Sequence, residues 1–122
     1  MEELLKKLEE TNFDREEECL AILDSLEEEL DKVDKALTFT YPPTEVEVVK
    51  GRANLLAFLD SATIALSLIP GALRRKASIL GRLQSFVSKV LQSLKKYAQS
   101  LKVDSYSITI GISPSITLTF KP

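Results

Sequence analysis

Carboxylates and cations are the groups this chain holds in number, with 18 Asp and Glu against 16 Lys and Arg, no His and one Cys. Without His there is no Ser-His or Cys-His dyad, no imidazole base and no imidazole metal ligand. A single Cys also argues against a zinc site. Carboxylate, lysine and hydroxyl chemistry remain, so the sequence argues against an enzyme and calls for no cofactor or metal.

Three constellations could still act. Glu28, Asp31 and Asp34 have the spacing with which all-α nucleotide hydrolases hold magnesium. Such sites gather carboxylates from two facing helices, because the ion needs several oxygens converging in one cleft. Here nearly all the acids fall on one helix, and Glu27, Glu28 and Glu29 point to different sides of it, which favours a solvated acidic face. Asp60 is the lone charge in residues 55–73, where an unpaired buried carboxylate would neutralise or destabilise the fold. If Pro70-Gly71 folds two helices back on each other, facing residues have numbers summing to about 141. Asp60 then lies opposite Gly81 and within reach of Arg82, and the pair reads as a buried structural ion pair rather than a functional acid.

The third constellation is cationic: Arg74, Arg75, Lys76, Arg82, Lys89, Lys95 and Lys96, a footprint suited to nucleic acid or another polyanion. Its stretch has few stacking aromatics, only Phe86 and Tyr97. Arg74-Arg75-Lys76-Ala77-Ser78 also resembles a basophilic kinase site, a short match that arises often by chance. An intramolecular role competes. Residues 1–40 hold fourteen acids and five bases, a net of −9, while residues 41–122 hold four acids and eleven bases, a net of +7. In an up-down-up bundle the first and third long helices run parallel. That sets Glu16, Glu17 and Glu18 near Arg74, Arg75 and Lys76, and Glu27 and Asp31 near Lys89. Helix lacing of this kind is favoured over nucleic-acid binding.

The elements that must position these groups follow from periodicity. A length of 122 residues, 44% hydrophobic and 28% charged, fits one globular domain over 1–122. Leu80, Leu83, Val87, Val90, Leu94, Tyr97 and Leu101 recur in steps of three and four, a heptad seam facing a partner helix, as in coiled coils. Cys19, Leu23, Leu26, Leu30, Val33 and Leu37 do the same, with Cys19 as a small buried hydrophobe. Thr11-Asn12 is a candidate cap, so a break near Asn12 is preferred to one unbroken helix. Thr44 and Glu47 have capping-box spacing, favouring helix over strand for 45–49. Helices are expected at about 2–11, 13–37, 45–69 and 72–101. Residues 38–41 read as a short strand or extended linker ended by Pro42-Pro43. Residues 55–73 could just span a bilayer, but Asn54, Asp60, Ser61, Thr63 and Ser67 dilute them, which favours an internal bundle helix.

At the tail, large apolar residues alternate with Ser and Thr, predicting a β-hairpin at about 104–121. Pairing Ile112 with Ile116, Ile110 with Leu118 and Ile108 with Phe120 puts every large apolar side chain on one face. The strands are uncharged, and edges are normally protected by Lys, Pro or a bulge. The edge residues Ile108, Thr109, Ile110, Thr117 and Leu118 are therefore expected to be covered, by Phe39 and Tyr41 or by the hairpin of a second copy.

The sequence thus predicts a mostly α (α+β) fold: an antiparallel bundle of three long helices, a short N-terminal helix and a C-terminal β-hairpin. The expected function is a non-enzymatic protein–protein interaction or scaffold role as a homo-oligomer, dimeric through the hairpin. The alternative is a nucleic-acid-binding accessory protein using the basic helix 72–102. One Cys and an opening without a basic-then-apolar signal segment suit the cytoplasm. Five Asn and Gln residues with one Cys and one Met suit a thermophile.

Overall fold

A computed structural model describes residues 2–37, 43–109 and 114–121. In chain order these form α1 (Glu2–Glu10), α2 (Glu16–Ala36), α3 (Glu45–Leu68), α4 (Gly71–Arg74), α5 (Ala77–Tyr97), β1 (Val103–Thr109) and β2 (Ser115–Phe120). The described chain is mostly helical and carries a two-stranded antiparallel hairpin near its C-terminal end. The stretch at 38–41, read from sequence as strand or linker, lies outside the described residues, as do Pro42, Ile110 and Ile112.

Helix α2 buries Cys19, Leu23, Leu26, Leu30 and Val33, and Leu37 follows them into the core, as their spacing requires. α2 packs against both α3 and α5, and α1 closes one end with Leu4 and Leu8. Phe58 of α3 meets Phe86 of α5 edge to face, with ring centroids 6.3 Å apart. The chain does break near Asn12, but by a different device from a Thr-Asn cap. Asn12 Oδ1 accepts the Asp14 N–H at 3.1 Å, and Arg15 is the N-cap, with no side-chain capping bond. At α3 the capping box of Thr44 and Glu47 is formed at both ends, which makes 45–50 helical.

Residues 72–101 are not one helix. α4 ends at Arg74, Lys76 is extended, and α5 starts at Ala77 and ends at Tyr97. The break turns the start of the α5 seam. Ile79 and Phe86 are fully buried, while Leu80 is 40% exposed and Val87 only partly covered. The doublets Ile79-Leu80 and Phe86-Val87 allow either phase, and contact with Phe58 selects the first.

The hairpin pairs Val103 with Phe120, Tyr106 with Leu118 and Ile108 with Ile116, with an irregularity between Val103 and Ser105. The register expected from the sequence, with Ile108 opposite Phe120, is therefore displaced by four residues. A strand has period two, so an even displacement keeps the same side chains on the same face. Tyr106, Ile108, Ile116, Leu118 and Phe120 all pack on the core in the observed register.

Arg52 ties α3 to this hairpin. Its Nε–H donates to the Leu101 carbonyl at 2.9 Å, Nη2 reaches the Lys121 carbonyl at 3.4 Å, and the guanidinium lies 4.6 Å from the Phe120 ring centroid. Lys102, at φ 54°, turns the chain from α5 into β1, and its carbonyl accepts the Lys121 N–H at 2.8 Å. Among the described residues no helix is long and apolar enough to cross a membrane.

Two stability predictions follow from this geometry. Arg52→Ala is expected to cost about 2 kcal/mol in urea unfolding, the usual value for bonds to a charged donor. Arg52→Lys should recover only part, because it lacks the planar fork. A Cβ at Gly81 meets nothing within 4 Å, so Gly81→Ala should raise stability by about 0.5–1 kcal/mol through helix propensity. Had α3 faced α5 at Gly81, the same change would destabilise.

Candidate functional site

The densest polar constellation is the seam between α2 and α5. Glu16 accepts bonds from Lys76 Nζ, at 3.2 Å, and from the Ser78 hydroxyl. Arg82 pairs with Asp24 and lies 4.0 Å from Glu27. Lys89 Nζ donates to Glu27 at 2.9 Å. At the far end the Ser93 hydroxyl donates to Asp34 Oδ2 at 3.2 Å, and the Tyr97 hydroxyl to the Asp34 carbonyl at 3.1 Å. Sequence separations across these hydrogen bonds stay between 59 and 63, so the two helices run parallel and in step. Among the described residues, Asp34 Oδ1 is buried without a hydrogen-bond partner. Burial first, and then the Asp34 charge, push the Tyr97 phenol up and keep it neutral.

Of the seven candidate polyanion contacts, Lys76, Arg82 and Lys89 are engaged with α2. Arg75 donates to the Gly71 carbonyl at 3.2 Å, Lys96 lies 5.2 Å from the Tyr97 ring centroid, and Lys95 is exposed. Arg74 stands half-buried at the end of α4. Of the acidic triplet, Glu16 bonds to Lys76 and Ser78, while Glu17 is 3.9 Å from Arg15 and Glu18 accepts the Asn12 N–H at 3.0 Å. Ser78 of the kinase-like run is bonded to Glu16.

Asp60 and Arg82 do not form a buried ion pair. Asp60 is exposed, and Arg82 is turned to Asp24 and Glu27. The tight joint assumed from Pro70-Gly71 is instead a longer connection containing α4, which moves Arg82 away from the expected register. The acidic row is dispersed as well, since Glu28 and Asp31 face solvent while Asp34 turns to α5. Among the described residues no group of three His, Cys, Asp or Glu could hold a metal. Cys19 is buried, its thiol donates to the Phe13 carbonyl at 3.2 Å, and burial followed by the Glu18, Asp14 and Glu16 charges pushes its pKa up. It is therefore a poor nucleophile.

Two surfaces remain beside the seam. A hollow of about 570 Å³ is lined in part by Glu3, Glu29, Lys32 and Asn54. Its one buried acid, Glu29, is 3.5 Å from Lys32, a structural pair within α2. The second surface is the outer side of α3, where Val46, Val49, Leu56, Ile64 and Leu68 are exposed. Sequence reasoning passed over it because 55–73 is apolar on nearly every side, a pattern that marks a buried helix. In the hairpin, Ile108 and Leu118 face the core, Thr109 and Thr117 face out, and Ile110 lies outside the described residues.

No family model, curated protein or solved structure matches the chain.

The seam carries a pH prediction. The Ser78 hydrogen bond first, and then the Lys76 hydrogen bond and charge, hold the Glu16 carboxyl below the ordinary glutamate range. A lowered folded-state pKa contributes stability that is present above the unfolded value, near 4.3, and is lost as pH falls through the folded one. Glu16→Gln should therefore lower the melting temperature at neutral pH and low salt. The gap to wild type should narrow as salt rises and close below the glutamate range, as parallel thermal melts will read.

Proposed function

We propose that this protein is a non-enzymatic protein–protein interaction or scaffold module that works as a homo-oligomer, with an antiparallel bundle of long helices as its rigid frame. The observation that carries this reading is the outer side of α3. Val46 and Val49 are 62% and 65% exposed, and Ile64 and Leu68 are 49% and 46% exposed. Isolated exposed apolar residues are ordinary, but a contiguous strip of them marks an interaction surface. Large apolar side chains also supply the buried core of an interface. The hairpin edge offers backbone groups and the hydroxyls of Thr109 and Thr117, so α3 supports self-association better. A reducing compartment such as the cytoplasm suits the one buried thiol.

Nucleic-acid binding through the basic helix is weaker on the same grounds, because three of its cations already have carboxylate partners. Light scattering over a hundredfold concentration range, with heparin retention at increasing salt, separates the two. A defined oligomer indifferent to polyanions is expected. A monomer whose retention falls steeply with salt would replace this reading with phosphate binding.

A further inference from the structure

The exposed face of α3 is self-complementary, and its two charges say how. On a helix of 3.6 residues per turn, Val46, Val49, Lys50, Ala53, Leu56, Ala57, Asp60, Ile64, Ser67 and Leu68 share one side, and all ten are exposed. Eight are uncharged. The other two, Lys50 and Asp60, have opposite sign, and among the described residues neither takes part in a salt bridge. Ten residues of helix put them about 15 Å apart along the axis, on either side of Leu56.

We infer that α3 packs antiparallel against α3 of a second copy across a two-fold axis near Leu56, with Lys50 of each copy against Asp60 of the other. This rests on the homo-oligomer reading above and names its interface. A two-fold perpendicular to the helix brings residues to meet whose positions are equidistant from the centre. Val46 then faces Ile64 of the other copy, Ala53 faces Ala57, and both ion pairs form at once. The small Ala53 and Ala57 let the helices approach closely at the middle. A parallel pairing would instead set Asp60 against Asp60 and Lys50 against Lys50 within an apolar strip, where like charges are costly.

The area is sufficient. Five large apolar side chains at this exposure offer on the order of 500 Å² per copy, the upper end for a monomer's largest patch. Two copies bury about 1,000 Å², the lower bound of a specific interface. The first turn of α3 holds Glu45 and Glu47, and the chain beyond its last turn leads to Arg74 and Arg75. Antiparallel pairing directs that acidic start toward the other copy's basic end.

Sedimentation equilibrium of the full chain tests this with charge swaps at exposed positions, circular dichroism confirming the fold of each variant. Wild type is expected to be a dimer. Lys50→Glu and Asp60→Lys each set like charges in both contacts, and each should raise the dissociation constant about tenfold or more. An equimolar mixture of the two single variants should regain dimers, as heterodimers, and the double variant should regain homodimers. Leu56→Glu should abolish the dimer. A wild-type dimer untouched by either swap would overturn the α3 interface and leave the homo-oligomer standing. Swaps that weaken the dimer but do not complement on mixing would overturn the antiparallel register. A wild-type monomer would overturn both readings. Binding of that monomer to phosphatidylserine vesicles, lost in Leu56→Glu, would assign the face to a membrane surface instead.

Discussion

Helix α2 buries Cys19, Ile22, Leu23, Leu26, Leu30 and Val33, and the cover they need sets the rest of the structure. These positions span an arc of roughly 100°, wider than the two-position seam of a simple helix pair. Two neighbours are needed, and α3 and α5 both lie on α2. α1 completes the end with Leu4 and Leu8, and the hairpin covers what the helices leave through Tyr106, Ile108, Ile116 and Leu118.

Hydrophobic contact is non-directional, so burial alone does not say which way α5 slides along α2. The polar contacts at the margin of the arc do. Glu16, Asp24, Glu27 and Asp34 meet Lys76, Arg82, Lys89 and Ser93 in order. Each exposed pair is worth only tenths of a kcal/mol to about 1 kcal/mol. Their common spacing makes them act on register together, since a one-turn slide would break all of them. Among the described residues, three acids of the acidic half, Glu16, Asp24 and Glu27, and three cations of the basic half, Lys76, Arg82 and Lys89, are paired in this way.

α3 has a different task at each side. Its inner residues Leu55, Phe58, Ala62 and Leu66 belong to the core, and Arg52 holds the hairpin through two carbonyls and the Phe120 ring. Its outer side carries apolar residues that no described element covers. An element apolar all round is consistent only with burial on all sides, and α3 is half-way there in the single chain. The uncovered half is the surface on which the proposed self-association rests.

Periodicity by itself determined the mostly helical character, the buried series of α2, the capping box at Thr44 and the alternating faces of the hairpin, because each depends on spacing within a short segment. It did not show the break that divides 72–101 into α4 and α5. The parallel run of α2 and α5 was legible too, through the charge of Glu16 and Glu27 against Lys76 and Lys89. Three features needed the tertiary structure. The α5 seam turns on Phe86 rather than Val87 because Phe58 waits across the core, and adjacent apolar residues satisfy a heptad equally well. The hairpin register differs by four because alternation with period two is blind to even displacements; in the observed register the Lys121 N–H also reaches the Lys102 carbonyl. Asp60 faces solvent rather than Arg82 because α4 lengthens the joint after α3, a detour that no spacing rule within either helix encodes.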